Sequence, residues 1–161
     1  MNMNTRIPFQ LITLPIERFG SLLTQSDEEL RTIGARRMVV DKKPGYPCRV
    51  SLVDAEPGED VLLVPFTHHD VASPYRASGP IFVRVNARTV KLEVDEIPTM
   101  LRSRLLSIRA YDGADMMVGA EVLEGSELEE HIWRFFGDNR VAYLHVHNAR
   151  PGCYNCRVER A

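Results

Sequence analysis

Apolar positions along the chain follow two rhythms, a period of two and a period near four, and these assign its elements. Residues 7–14 form a short β-friendly stretch that predicts a first strand. Ser26-Asp27-Glu28-Glu29 has the form of a capping box: the serine can accept from the amide three residues on, and Glu29 can reach back. A short helix is expected there, with Leu30 and Ile33 inward and Gly34 as its stop. Residues 37–41 read as a strand, and residues 42–47, with two prolines and a glycine, as loop.

Residues 61–66 are apolar at every position, which predicts a central strand buried on both faces, with Pro65 at its end. Residues 68–80, rich in Ser, Pro and Gly, read as a long connection. Further strands are expected at 81–86, 104–111 and 116–123, with Pro98 at the first position of a short helix through Leu101. Ser126-Glu127-Leu128-Glu129 is a second capping box. The helix it opens carries Leu128, Ile132, Phe135 and Phe136 on one stripe and ends at Gly137. Strands at 141–148 and 154–160, joined by a Pro151-Gly152 turn, close the chain. Strands dominate and no βαβ rhythm appears, so the fold class is α+β: a largely antiparallel sheet with two or three short helices. The length of 161 residues suits a single domain, 1–161.

Composition narrows the function classes. An apolar share of 44% and a charged share of 26% are those of a globular chain. A net charge of −2 draws it neither to nucleic acid nor to acidic membranes. The longest apolar run, 61–66, is far too short to span a bilayer, and residues 1–14 lack the pattern of an export signal. Three cysteines, Cys48, Cys153 and Cys156, are an odd count and make no disulfide framework, so a cytoplasmic location is expected. Arginine outnumbers lysine 17 to 3. That bias fits bidentate anion contacts, but the plainer reading, and the one preferred, is a surface charge drawn from a GC-rich genome.

Splitting each strand into its two faces brings out candidate chemistry. Leu106, Ile108 and Ala110 oppose Ser107, Arg109 and Tyr111; Ile81, Val83 and Val85 oppose Arg84 and Asn86; Ala142, Leu144 and Val146 oppose Tyr143, His145 and His147. If these strands are neighbours, Arg84, Arg109, Tyr111, Tyr143, His145 and His147 line one surface suited to a carboxylate or phosphate. The competing expectation is an ordinary solvated sheet face. The loop Ser73-Pro74-Tyr75-Arg76-Ala77-Ser78-Gly79-Pro80 is a second candidate, since Ser73, Tyr75, Arg76, Ser78 and Gly79 combine hydroxyls, a cation and close backbone approach.

His145-x-His147 before Cys153-x-x-Cys156 raises a structural zinc reading, with Cys48, Cys153, Cys156 and His145 as the donor set. The register that groups apolar residues argues against it, placing Tyr154, Cys156 and Val158 with Ala142, Leu144 and Val146, away from both histidines. His68-His69-Asp70 reads as polar loop, because neighbours on an extended chain point to opposite sides. No phosphate-loop, dinucleotide or serine-nucleophile motif is present, so no cofactor is expected and no catalytic set is assigned.

Three segments carry a resemblance. They are Pro74-Tyr75 with Ser78-Gly79-Pro80-Ile81-Phe82-Val83; Leu106-Ser107-Ile108-Arg109-Ala110-Tyr111-Asp112; and Val141-Ala142-Tyr143-Leu144-His145-Val146-His147-Asn148-Ala149 running on to Gly152-Cys153-Tyr154. They resemble the bacterial family known as domain of unknown function 1203. The chain departs from that pattern at His147, where the resemblance implies arginine, and at Ser51, where it implies a second cysteine after Cys48. The resemblance implies a bacterial protein and no particular activity, and it draws weight to Arg109, Tyr111, Asp112, His145 and Asn148.

The first functional expectation is therefore a small-molecule domain, with enzyme activity left open. It would hold an anionic group near Arg109, His145 and the 73–79 loop, oriented by Tyr111 and Asp112. The second is a non-catalytic interaction module that forms a symmetric homodimer, and the third is structural zinc.

Overall fold

The computed structural model describes residues 5–161. Among these residues eight strands form: β1 (Phe9–Ile12), β2 (Arg36–Val39), β3 (Asp60–His69), β4 (Ala77–Arg84), β5 (Leu105–Tyr111), β6 (Met117–Glu124), β7 (Tyr143–Asn148) and β8 (Tyr154–Arg160). Three α-helices accompany them: α1 (Asp27–Thr32), α2 (Thr99–Arg102) and α3 (Leu128–Phe136). The fold is α+β. Its strands divide into a five-stranded sheet, ordered β1-β8-β7-β5-β6, and a three-stranded sheet, ordered β2-β3-β4. Every strand pair in both is antiparallel.

Alternation explains the layering. Leu106, Ile108 and Ala110 of β5, Leu144 and Val146 of β7, and Cys156 and Val158 of β8 point to one face of the large sheet. There they meet Met100 and Leu101 of α2 and Leu128, Ile132 and Phe136 of α3, all in one apolar cluster. Each such side chain contributes about 1.5–3 kcal/mol by leaving water. Gly125 lets α2 and α3 approach, since a Cβ there would stand 1.9 Å from the Leu101 carbonyl oxygen. A second cluster unites Leu62, Val64 and Phe66 of β3 and Ile81 and Val83 of β4 with Tyr154 of β8. The small sheet thus covers part of the opposite face of the large one.

Several expectations are corrected. Residues 68–80 are not a long connection: β3 runs on to His69, β4 starts at Ala77, and a short turn joins them. Pro65 lies within β3, opposite Pro80, a pairing in which neither proline is asked for a donor. Ser26 does cap α1, accepting from the Glu29 amide at 3.1 Å, and Gly34 follows at φ +77°, but Ile33 is exposed. The second capping box does not form. A 3-10 turn over Gly125–Glu127 precedes α3, whose N-cap is Glu127 without a side-chain bond. Pro98 is the N-cap of α2 and not its first helical residue.

Three irregularities interrupt the strand registers of the described residues. One adds Val118 to β6 between the partners of Ala110 and Tyr111, and the other two lie beside the histidines. Phe66 pairs with Gly79 and His69 with Ala77, so β3 spends Thr67 and His68 where β4 spends only Ser78. Val146 pairs with Cys156 and His147 with Tyr154, so Asn155 is an extra residue in β8. A bulge re-aims the side chains beside it, and bulges concentrate next to functional sites.

Candidate metal centre

The register of the large sheet sets three polar rows across its second face. Ser107, His147 and Tyr154 form one; Arg109, His145 and Arg157 the next; Tyr111 pairs with Tyr143 in the third. This face is not solvated at its centre. His145, His147, Tyr111, Tyr143 and Tyr154 are all buried, because the end of β3 lies over them.

That end of β3 departs from the sequence expectation. The bulge at Thr67 and His68 breaks strict alternation, so two neighbouring histidines that should diverge both reach the same face. The His68 ring stacks on Tyr154 at 5.4 Å and meets the His147 ring edge-on at 5.0 Å. The His69 ring stands 5.1 Å from that of His145.

One ring nitrogen from each of His68, His145 and His147 lies within 4.8 Å of the others. Each residue also has one buried nitrogen without a hydrogen-bond partner: Nδ1 of His68, Nδ1 of His145 and Nε2 of His147. Three unanswered polar atoms in one histidine cluster are costly, about 1–3 kcal/mol each, unless a common partner satisfies them. The Nδ1–H of His147 donates to the Gly152 carbonyl at 2.9 Å, which fixes the tautomer and leaves Nε2 with its lone pair. Burial, with help from neighbouring cations, lowers the pKa of His145 to about 2, of His147 to about 3 and of His68 to about 4. All three are neutral donors at ordinary pH.

His69 is not a fourth donor. Its Nδ1 donates to the Tyr75 carbonyl at 2.7 Å, and its Nε2 lies 2.7 Å from the Tyr143 hydroxyl, which donates to Asp115 at 2.7 Å. Both ring nitrogens are engaged. The ring is a fixed wall of the site.

The other candidate residues divide. Arg109 and Arg157 flank His145 from the two neighbouring strands, and Tyr111 stacks on Tyr143 at 5.3 Å. Asp112 turns away from the cluster; its Oδ1 accepts from the Ala114 and Met116 amides and closes the β5–β6 turn. Asn148 accepts from Asn155 and donates to the Cys153 sulfur at 3.3 Å, and it lines a separate cavity of about 580 Å³ with Cys153 and Arg150. Arg84 does not join the row, because β4 belongs to the other sheet and its guanidinium pairs with Glu59. Ser73 and Tyr75 touch the margin of the site, through the Asp115 carbonyl and the His69 ring respectively. Arg76 pairs with Asp70, Ser78 shares a hydrogen bond with Thr67, and Gly79 brings no backbone into a close approach.

The cysteines do not converge with the histidines. Cys156 is fully buried in the helix-facing core, and burial pushes its thiol up to about 12. Cys48 lies in the inter-sheet cluster, accepting from the Arg84 amide at 3.3 Å. Tyr154, expected on the core face, is turned by the Asn155 bulge to the histidine side, and Asn155 takes a buried place bonded to Asn148.

The cluster opens on one side into a cavity of about 250 Å³, lined by His68, His69, His145, Tyr154, Arg18 and Arg157 among others. Among the described residues no helix is long and apolar enough to cross a membrane. Nothing among curated proteins or solved structures matches this chain. A family model described as protein of unknown function (DUF1203) matches residues 45–160, a stretch that holds all three histidines and both flanking arginines. The chain belongs to the DUF1203 family.

Proposed function

We propose that this chain binds a divalent transition metal ion through His68, His145 and His147, with zinc as the ion best suited to three imidazoles. The observation that carries the proposal is that His68, His145 and His147 bring ring nitrogens within 4.8 Å of one another, and each of the three also has a buried ring nitrogen without a hydrogen-bond partner. Nitrogens bound to one tetrahedral zinc at about 2.0–2.1 Å stand about 3.4 Å apart, so the rings must draw in from a spread of up to 4.8 Å when the ion binds. Three neutral protein donors leave a fourth position open toward the cavity. That is the arrangement of zinc sites that activate water or polarise a carbonyl, and not of closed structural ones. Since His147 stands where the family resemblance implies arginine, the proposal is made for this chain and not for the whole family.

Protein purified without a metal-affinity tag and dialysed against zinc should retain about one ion per chain by elemental analysis. His145→Ala should abolish retention, while Cys153→Ser should leave it intact. Stoichiometric metal in the histidine variant, or none in the parent chain, refutes the proposal.

A further inference from the structure

Cations dominate the charge around the three histidines, although Asp70 also lines the cavity. The charged side chains that act most on their rings are Arg109, Arg157 and Arg49. Asp115 is spent on Tyr143 and Asp70 on Arg76. Arg157 has only the partly exposed Glu159 as an ion partner, and no ion pair forms at Arg109 among the described residues. A dication held by three neutral imidazoles would add two positive charges to this setting, with no carboxylate among its ligands. A buried charge of that size requires a counter-charge.

We infer that the fourth ligand is a small oxyanion, a carboxylate or a phosphate, which coordinates the metal through one oxygen and is gripped by Arg157 through another. This inference rests on the metal reading. Arg157 is the natural grip: it is the cross-strand neighbour of His145, it lines the cavity, and its guanidinium is held 3.9 Å over the Tyr143 ring. A planar guanidinium presents paired donors that match two oxygens of such a group. Arg18, stacked over Phe66, stands at the same cavity and adds charge along the approach. Arg109, the cross-strand neighbour of His145 on its other side, adds a further positive charge near the cluster. Size limits the ligand. The cavity of about 250 Å³ lies below the range of about 300–1,000 Å³ typical of drug-sized molecules.

Cobalt(II) in place of zinc makes the fourth position visible. The cobalt-loaded chain is titrated with acetate and, separately, with inorganic phosphate, following the visible d–d bands. A saturable spectral change from either anion is the expected result. Arg157→Gln should weaken that binding about tenfold or more, as loss of a charged hydrogen bond does, with cobalt content unchanged. Arg140→Gln, at an exposed pair with Asp138, should leave it as in the parent. The two ideas fail separately. A chain that holds cobalt but shows no saturable change with either anion, or an Arg157→Gln variant of parental affinity, overturns the oxyanion and spares the metal. A chain that takes up no cobalt overturns both.

Discussion

Zinc should raise the thermal stability of this chain by an amount that depends on the histidines and not on the cysteines. A ligand that binds only the folded state stabilises it by RT ln(1 + [L]/Kd), about 2.7 kcal/mol when the free ion stands at 100 times its Kd. For a chain of 161 residues, each kcal/mol moves the midpoint by about 2–4 °C, so the expected rise is about 5–11 °C. The favourable term has a visible source: ring nitrogens of His68, His145 and His147 are buried without partners, and an ion would give them a common one. The assay is differential scanning fluorimetry of chelator-treated protein with and without zinc, repeated for His68→Ala, His145→Ala, His147→Ala and Cys153→Ser. Comparing each variant with itself removes any change in its basal stability. The histidine variants should lose the shift and Cys153→Ser should keep it. A full shift in His68→Ala, or its loss in Cys153→Ser, would refute the assignment of donors.

Metal-free protein should become less stable as pH falls below about 6.5, because the unfolded chain then protonates histidines that the folded chain keeps neutral; stability rises with pH wherever the unfolded state binds more protons. His145 and His147 alone set a slope of about 2–3 kcal/mol per pH unit between pH 6 and 4, with a smaller share from the half-buried His68; urea midpoints that stay flat from pH 7 to 5 would contradict the burial of these rings. Gly125→Ala should cost about 3 kcal/mol or more, since its methyl would collide with the Leu101 carbonyl and neither helix can yield freely; an unchanged denaturation midpoint would disprove that close approach. Ser26→Ala should cost about 0.5–2 kcal/mol through loss of the α1 cap, whereas Ser126→Ala, where no cap forms, should be near neutral in the same measurement.

The elements are readable because apolar alternation is a local property. Residues 106, 108 and 110 against 107, 109 and 111 announce two faces of one strand wherever that strand lies, and β5, β7 and α3 follow their patterns closely. Pairing of β5 with β7, which sets Arg109 beside His145, obeys the same logic. What stays hidden depends on breaks in that logic. His68 reads as loop because Ser78, Gly79 and Pro80 look like turn residues, yet they lie in a strand. A signal does exist: Leu62, Val64, Phe66 and His68 continue one face at a spacing of two, and the apolar run hands directly to the histidine. The bulges at His68 and Asn155 turn His69 and Tyr154 toward the cluster, and each arises from how two strands pair, which no local pattern records. Arg84 is misplaced by its pattern for the same reason, since its strand looks like its neighbours and sits in a different sheet.

The three nitrogens belong to different layers of the molecule: two ride on the inner strand β7 and one on the tip of the β3–β4 hairpin. An ion seated among them would act as a rivet through both layers. Any tilt of the hairpin would lengthen one coordination bond and spare the other two. Occupancy of the centre and the seating of that hairpin would therefore be a single equilibrium, legible from either end: by amide exchange along β3, or by the rate at which a chelator strips the ion.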